Sequence, residues 1–229
     1  NDFKPFMVGV IARFFNRKLK LVYDCHELQS ETWGISKIEK KLTKYIEDKF
    51  AHSARVITVG ESIEQIYIER YNLNKSHMEI IYNVPHVEIK VIESHILREA
   101  FDIPVGRKIF IYQGGLSRGR GIPLLLETFR GLTNIHAVFM GYGPFENEVI
   151  NASKAHANIH FQEAVPYEKV LSYTSSADYG MISTENVCLN HFYCMPNKLF
   201  EYSHAEIPIL VNALEDCRNF VEGNGIGMA

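Results

Sequence analysis

Short apolar runs rich in β-branched and aromatic residues alternate with stretches of helical spacing along nearly the whole chain, and that rhythm leaves few folds open. In the first part, LKLVYD (19–24), RVITVG (55–60) and MEIIYNVP (78–85, stopped by Pro85) read as strands. The stretches at 5–15, 36–54 and 61–71 read as helices, the last with Ser62 near its start. In the second part, strands at 108–114, 135–141, 158–164, 179–183 and 207–212 are separated by helical patterns at 122–132, 145–155, 167–177, 197–206 and 215–223. Strands separated by helices predict parallel sheets covered by helices. Residues 86–107 break the rhythm with mixed charge, a proline and a glycine. The expected division is therefore 1–88 as the C-terminal part of a first Rossmann-like domain, 89–107 as a linker, and 108–229 as a second domain. The first part supplies about three strands where an open α/β sheet usually has more, and the second stops as a strand begins at 226–229, so the expectation is a fragment of a longer protein.

Composition narrows the chemistry. With 229 residues, 46% apolar and a formal net charge of −3, the chain has material for two cores and no global pull toward nucleic acid, so any anion site must be local. Cys25, Cys188, Cys194 and Cys217 have no CxxC spacing, and the histidines form no metal-ligand motif, so neither a disulfide framework nor a metal is expected. The sequence has no apolar run long enough for a membrane span and no signal-peptide layout at its start, which makes a cytoplasmic setting the default expectation. RFFNRKLK (13–20) and KIEKKLTK (37–44) are basic. Solvated helix faces and contact with an anionic membrane surface, at the inner face of the membrane, both fit them.

Four clusters carry candidate chemistry. The turn after the strand at 108–114 holds Gly114, Gly115, Arg118 and Arg120. In a βα unit that turn faces ligand, because the next helix offers unpaired N–H groups there, and arginine grips phosphate oxygens in bidentate fashion. A diphosphate cradle and a tight turn with solvated arginines both fit; the pattern is neither GxGxxG nor GxxxxGK[ST]. GYGP (141–144) also follows a strand. In CMPNKLFEY (194–202), Asn197 is a capable N-cap, and Lys198 in the first turn opposes the helix dipole, an arrangement a nearby anion would relieve. Glu201 serves either as an acceptor for sugar hydroxyls or as an acid favoured by the dipole. In YDCHELQSE (23–31), Asp24, His26 and Glu27 follow a strand, and a histidine between carboxylates is oriented and titratable; solvated loop residues fit as well. No GxSxG occurs and Ser62 has no evident histidine partner.

LVYDCHELQSE, IIYNVP, IYQGGLSRGRGIPLLLETF, VFMGYGPFENEV, VPYEKVLSYTSSADYGMIS and PNKLFEYSHAEIPIL occur in the order found in glycosyltransferase family 4, which the chain resembles along nearly its whole length. The resemblance implies the α/β GT-B fold, two Rossmann-like doubly wound parallel-sheet domains facing across a cleft. It implies a retaining, metal-independent and cofactor-free transferase of the hexosyltransferase kind, moving sugar from a nucleotide-diphosphate sugar to a glycan or lipid-linked acceptor in polysaccharide biosynthesis. By motif, Gly114, Gly115, Arg118 and Arg120 would hold the donor diphosphate, with Lys198 assisting and Asn197 beside it. Glu201 would bind the ribose, and Val165 and Pro166 would flank the base. His26 and Glu27 would sit by the donor sugar and, with Arg120, form the catalytic set. Two departures stand out: Tyr193 occupies the place of the first of two glutamates eight positions apart in many members, and Gly114 that of an arginine. A nucleotide-sugar 2-epimerase and a non-catalytic sugar-nucleotide binding protein are the alternatives.

Overall fold

The computed structural model describes residues 3–84 and 94–229. The chain is α/β and divides into two compact units: Asn1–Asn83 with Asn186–Met195 and Leu214–Asp216, and Val84–Glu185 with Pro196–Ala213 and Cys217–Ala229.

The first unit runs α1 (Phe3–Phe15), β1 (Leu21–Cys25), α2 (Lys37–Phe50), β2 (Ala54–Thr58), α3 (Glu61–Tyr71) and β3 (Met78–Ile80). Its three strands lie parallel in the order β1-β2-β3, with Leu21 beside Ala54 and Cys25 beside Thr58. Asp24 lies within β1 rather than after it. Ser36 and Glu39 form a capping box at the start of α2: the Ser36 hydroxyl accepts from the Glu39 N–H at 3.2 Å and the Glu39 carboxylate accepts from the Ser36 N–H at 3.3 Å. The apolar run at 78–85 is shorter as a strand than its composition suggests. β2 ends at Thr58, and once the Ile81 N–H has reached the Thr58 carbonyl at 2.9 Å the following backbone has no ladder to join.

Alternate residues of β1 and β2 point into one core, where Tyr23, Cys25 and Val56 are fully buried and Phe6 stacks on Tyr23 at 4.2 Å. A carboxylate sits inside this core. Glu47 of α2 accepts hydroxyl protons from Tyr23 at 2.8 Å, Tyr67 at 2.5 Å and Tyr71 at 2.5 Å, so its oxygens are satisfied without water. Burial pushes its pKa up, against the pull of the three phenols and the Arg70 charge. A second carboxylate, Glu31, gathers Lys40 at 2.5 Å, Lys44 at 2.7 Å and Arg70 at 3.2 Å. Two lysines of the basic stretch 37–44 are thus engaged with the protein itself. In 13–20, the Arg13 guanidinium donates to the Ser53 carbonyl at 2.7 Å.

The second unit runs α4 (Ile96–Ala100), β4 (Lys108–Gln113), α5 (Ile122–Arg130), β5 (Ile135–Gly141), α6 (Glu146–Ala155), β6 (Ile159–Glu163), α7 (Tyr167–Thr174) and β7 (Tyr179–Ile182). The chain then contributes α8 (Leu189–Phe192) to the first unit, where the Leu28 N–H donates to Asn190 Oδ1 at 2.7 Å. After α8 come α9 (Asn197–His204), β8 (Ile209–Val211), α10 (Glu215–Gly223) and β9 (Gly227–Met228). Of the stretch 89–107 expected as a linker, 89–93 lie outside the described residues and the remainder holds α4. The six strands are parallel in the order β6-β5-β4-β7-β8-β9. Chain order therefore reverses at β4 and β7, and in an open α/β sheet that switch point is where a crevice opens at the carboxyl ends of the strands.

One side chain explains how the switch point is held. β4 and β7 pair only through Phe110 with Tyr179 and Ile111 with Gly180. The fully buried Tyr202 of α9 inserts there: its hydroxyl accepts from the Gln113 N–H at 3.1 Å and lies 3.2 Å from the Ile111 carbonyl and 3.3 Å from that of Met181. Backbone groups that the parting strands cannot offer each other are thus partnered by one phenol. The ring needs the space above Gly180, where a Cβ would fall 2.4 Å from Tyr202 Cγ.

Candidate functional site

All six strands of the second sheet are parallel, so the segments that follow β4, β5, β6 and β7 emerge on one edge, and the candidate residues of this unit are placed by those segments. After β4, Gly114 takes φ 110°, and the Gly114 and Leu116 N–H groups donate to the Met140 and Tyr142 carbonyls at 2.9 and 2.8 Å. The turns after β4 and β5 are therefore back to back. A Cβ on Gly141 would lie 1.9 Å from the Gly114 carbonyl oxygen. The two glycines of GYG are required first of all by this contact between neighbouring turns, since a Cβ on Gly143 would likewise lie 2.6 Å from the Leu116 carbonyl oxygen, whereas Gly114 is required by its φ. Gly114 and Gly115 themselves are exposed.

The turn is closed from the other side by the segment after β7. The Ser183 hydroxyl donates to the Arg120 carbonyl at 2.7 Å, the Glu185 N–H donates to the Gly119 carbonyl at 2.9 Å, and Glu185 Oε1 accepts from the Gly121 N–H at 3.2 Å. Gly121, the cap of α5, has φ 69°, and a Cβ there would meet the Ser183 carbonyl oxygen at 2.3 Å. Ser183 and Glu185 fix the backbone that carries Arg120, a role the sequence does not advertise because they lie 63 and 64 residues further on.

Charge converges on Tyr112. Its hydroxyl donates to the Gly115 carbonyl at 2.9 Å, and the Lys198 ammonium stands 3.7 Å from its ring centroid, at the position where a Gly114 Cβ would have Nζ 3.6 Å away. Burial pushes the Tyr112 phenol up to about 12, while the Arg120 guanidinium acts in the opposite direction. The lysine in the first turn of α9 thus gains an aromatic face. Asn197 is the first residue of α9 and Pro196 its cap, with no side-chain capping bond, so Asn197 does not act as the N-cap expected of it; the extended φ/ψ of Pro196, −72° and 148°, brings the chain into the helix one residue earlier.

Glu201, one turn into α9, is half-buried. Its Oε2 accepts from Gln113 Nε2 at 2.5 Å, and Gln113 Oε1 accepts from the Thr174 hydroxyl at 2.6 Å. Gln113 and Thr174, both buried, were not singled out by the sequence; the available signal was a glutamine ending an otherwise apolar strand. Val165 and Pro166 follow β6 on the same edge, and Pro166 caps α7, the helix that ends at Thr174. The second unit therefore brings the glycine turn, Arg120, Lys198 and Glu201 to one edge, with Arg118 exposed on the same turn.

His26 and Glu27 belong to the first unit, in the turn after β1. His26 Nε2 lies 3.2 Å from Asp24 Oδ2, and the Cys25 thiol reaches the Glu27 carbonyl at 2.8 Å and the Tyr67 hydroxyl at 2.9 Å. Tyr193, also in the first unit, packs edge-on to Phe192. Partial burial and the carboxylates of Glu215, Asp216 and Glu69 raise its phenol. Ser62 donates its hydroxyl to Asp216, and the Ser62 N–H reaches the same carboxylate at 3.4 Å, so that serine serves the start of α3.

Neither a protein-family model nor a curated protein matches the sequence. Solved structures do match. WaaG, a glycosyltransferase involved in lipopolysaccharide biosynthesis, superposes with a TM-score of 0.72 at 12% identity over 97% of this chain and 67% of its own. Sucrose-phosphate synthase from Thermosynechococcus elongatus gives 0.73 at 14% over 97% and 58%, and Anabaena HepE in complex with UDP gives 0.74 at 15% over 98% and 62%. The chain has the GT-B fold. It spans roughly three fifths of the length of these GT-B structures, 58–67%. At such identities the likeness is one of fold. In GT-B terms, the second unit is a Rossmann-like sheet with its candidate residues at the switch-point edge. No helix among the described residues is long and apolar enough to cross a membrane.

Proposed function

We propose that the chain is part of a retaining, metal-independent glycosyltransferase that moves sugar from a nucleotide-diphosphate sugar to a glycan or lipid-linked acceptor. The observation that carries this reading is the meeting, at one switch point, of the turn after β4 with the start of α9: Arg120 and Lys198 around Tyr112, and Glu201 bonded to Gln113 next to it. HepE, which shares the fold, is a complex with UDP-glucose in one structure and with UDP in another.

In this reading Arg118, Arg120, Lys198 and the Gly114–Gly115 backbone take the diphosphate, Glu201 the ribose, Val165 and Pro166 the base, and Asn197 the phosphate end of α9. Breaking the bond between anomeric carbon and phosphate oxygen leaves its electron pair on the diphosphate, and fixed cations favour that developing charge over the ground state. A metal is then not required for that task. His26 and Glu27 are assigned to the sugar and its reacting carbon, with front-face attack accounting for retention. The basic stretches 13–20 and 37–44 are assigned to peripheral contact with the inner face of a membrane, in a cytoplasmic protein. Proposed boundaries are 1–88 and 108–229 for the two domains and 89–107 for the connection. Tyr193, standing where relatives carry a glutamate, favours a second reading, a sugar-nucleotide binder without turnover.

Incubation with UDP- and GDP-sugars, with and without acceptor glycan, separates these: steady nucleotide release supports the transferase, an isomerised sugar nucleotide the epimerase, and binding without release the silent protein. Arg120→Ala is expected to cut turnover by about a hundredfold, the worth of one strong charge-stabilising donor, with far-UV circular dichroism unchanged. Unchanged turnover overturns the cradle.

A further inference from the structure

Gln113 and Thr174 are buried polar side chains beneath the edge that carries Glu201, and their hydrogen bonds settle one another's orientation. A carboxylate only accepts, so the Gln113 group 2.5 Å from Glu201 Oε2 must be the amide NH2. The Gln113 carbonyl then faces Thr174 and requires a donor. The Thr174 hydroxyl has a single proton and two acceptors, Gln113 Oε1 at 2.6 Å and the Val170 carbonyl at 2.8 Å. Were that proton given to Val170, the threonine oxygen would become an acceptor. The amide would then have to turn its NH2 toward Thr174 and its carbonyl toward the carboxylate, oxygen against oxygen. Only one assignment satisfies every group: Thr174 donates to Gln113, and Gln113 donates to Glu201.

Backbone contacts hold both ends of this relay. Tyr202, next to Glu201, is anchored to β4 through the Gln113 N–H at 3.1 Å, so helix α9 and the end of β4 keep their distance. Thr174 is the last residue of α7, and the Ser175 N–H behind it closes the helix on the Leu171 carbonyl at 2.8 Å.

We propose that Thr174 and Gln113 are positioning residues that hold Glu201 in one orientation as the reader of a ribose diol, so that preference for ribonucleotides is set from beneath the site. The bond from Gln113 occupies one of about four lone-pair positions on the carboxylate and leaves acceptor capacity for two sugar hydroxyls in a fixed direction. The inference rests on the reading of Glu201 as the ribose-binding group. Removing the Thr174 proton leaves the amide carbonyl unpaired in a buried place and takes away the contact that fixes the amide, so the Gln113 side chain shifts to recover a donor; Glu201 then loses the donor that aims it while the cationic turn is untouched.

The test measures dissociation constants by calorimetry for UDP, its 2′,3′-dideoxy analogue and inorganic pyrophosphate, with the guanosine pair in parallel. Wild-type protein is expected to lose at least tenfold in affinity when the diol is removed. In Thr174→Val, which keeps the shape and drops the proton, that ratio is expected to fall below threefold with pyrophosphate affinity held within twofold; Thr174→Ser restores it. Gln113→Met gives the same loss by removing the donor itself, and serves should Thr174→Val not fold. A wild-type ratio above ten that persists in both Thr174→Val and Gln113→Met overturns the relay and leaves the ribose reading intact. A wild-type ratio near one overturns the ribose reading, and the relay falls with it.

Discussion

Replacing Gly180 by alanine places a Cβ 2.4 to 2.7 Å from three atoms of the Tyr202 ring, where carbon atoms prefer 3.5–4.0 Å. The ring must retreat by about 1 Å, because its neighbours at the switch point are strand backbone rather than flexible side chains. Retreat draws the hydroxyl away from the Gln113 N–H and from the Ile111 and Met181 carbonyls, groups with no route to water. Overpacking of this kind costs about 1–3 kcal/mol, and an orphaned buried N–H adds a similar amount, so we expect Gly180→Ala to cost about 2–5 kcal/mol. Amide hydrogen exchange of peptides covering β4 and β7 reads this directly, with protection falling about thirtyfold or more. The decisive comparison repeats the substitution in a Tyr202→Ala background, which removes Cγ and everything beyond it. There the clash and the phenol bonds are already gone, and the added methyl is expected to cost less than about 1 kcal/mol. An equal cost in both backgrounds would refute the argument.

Two further predictions concern titration. Glu47 has its folded-state pKa raised by burial, so the folded protein holds a proton that the unfolded chain gives up. Its contribution is fully present below the ordinary value of 4.5 and declines as pH rises above it. Urea midpoints for wild type and Glu47→Gln from pH 4.5 to 8 should show the wild type losing ground to the variant with rising pH; a parallel offset at every pH rejects this. His160, stacked between Phe101 and His136, is pushed down to about 4 by burial first and the His136 charge second, so the unfolded chain binds the extra proton. Stability is therefore lost as pH falls from 6.5 toward 4, and His160→Gln should flatten that part of the midpoint curve.

How far the sequence reaches depends on the distance over which its signals act. Strands β1, β2, β4 and β5 were legible because buried parallel strands are near-continuous apolar runs such as KIFIYQ and IHAVFMG, and α2 announces itself through Ser36 and Glu39, three residues apart. The end of β3 was not, since 81–84 has strand-like composition and only the length of β2 decides where pairing stops. Helix α8 and the engagement of Lys40 and Lys44 by Glu31 escaped for the same reason, being set by tertiary partners. Arg120, Lys198 and Glu201 were legible as charges beside strand ends. Their supports Gln113, Thr174, Ser183 and Glu185 were not, because each acts on a residue 61 to 88 positions away.

The glycines show most clearly what a local motif can and cannot say. YQGG reads alone either as backbone made small for a phosphate or as a tight turn, and GYG as a second glycine turn after a strand. In the fold, Gly141 is needed because the Gly114 carbonyl would lie 1.9 Å from its Cβ, and Gly121 because Ser183 crosses above it. Those requirements would hold in a sheet that bound nothing, since parallel strands about 4.8 Å apart force successive turns together. Glycine content at a strand end is therefore evidence about turn packing first. Evidence for a ligand has to come from groups that packing alone would not select, and the lysine is the clearest case. An ammonium in the first turn of a helix opposes the dipole, and this one stands over the face of Tyr112 beside the glycine turn. In the proposed donor site, an anion held between Lys198 and Arg120 would give both cations one task.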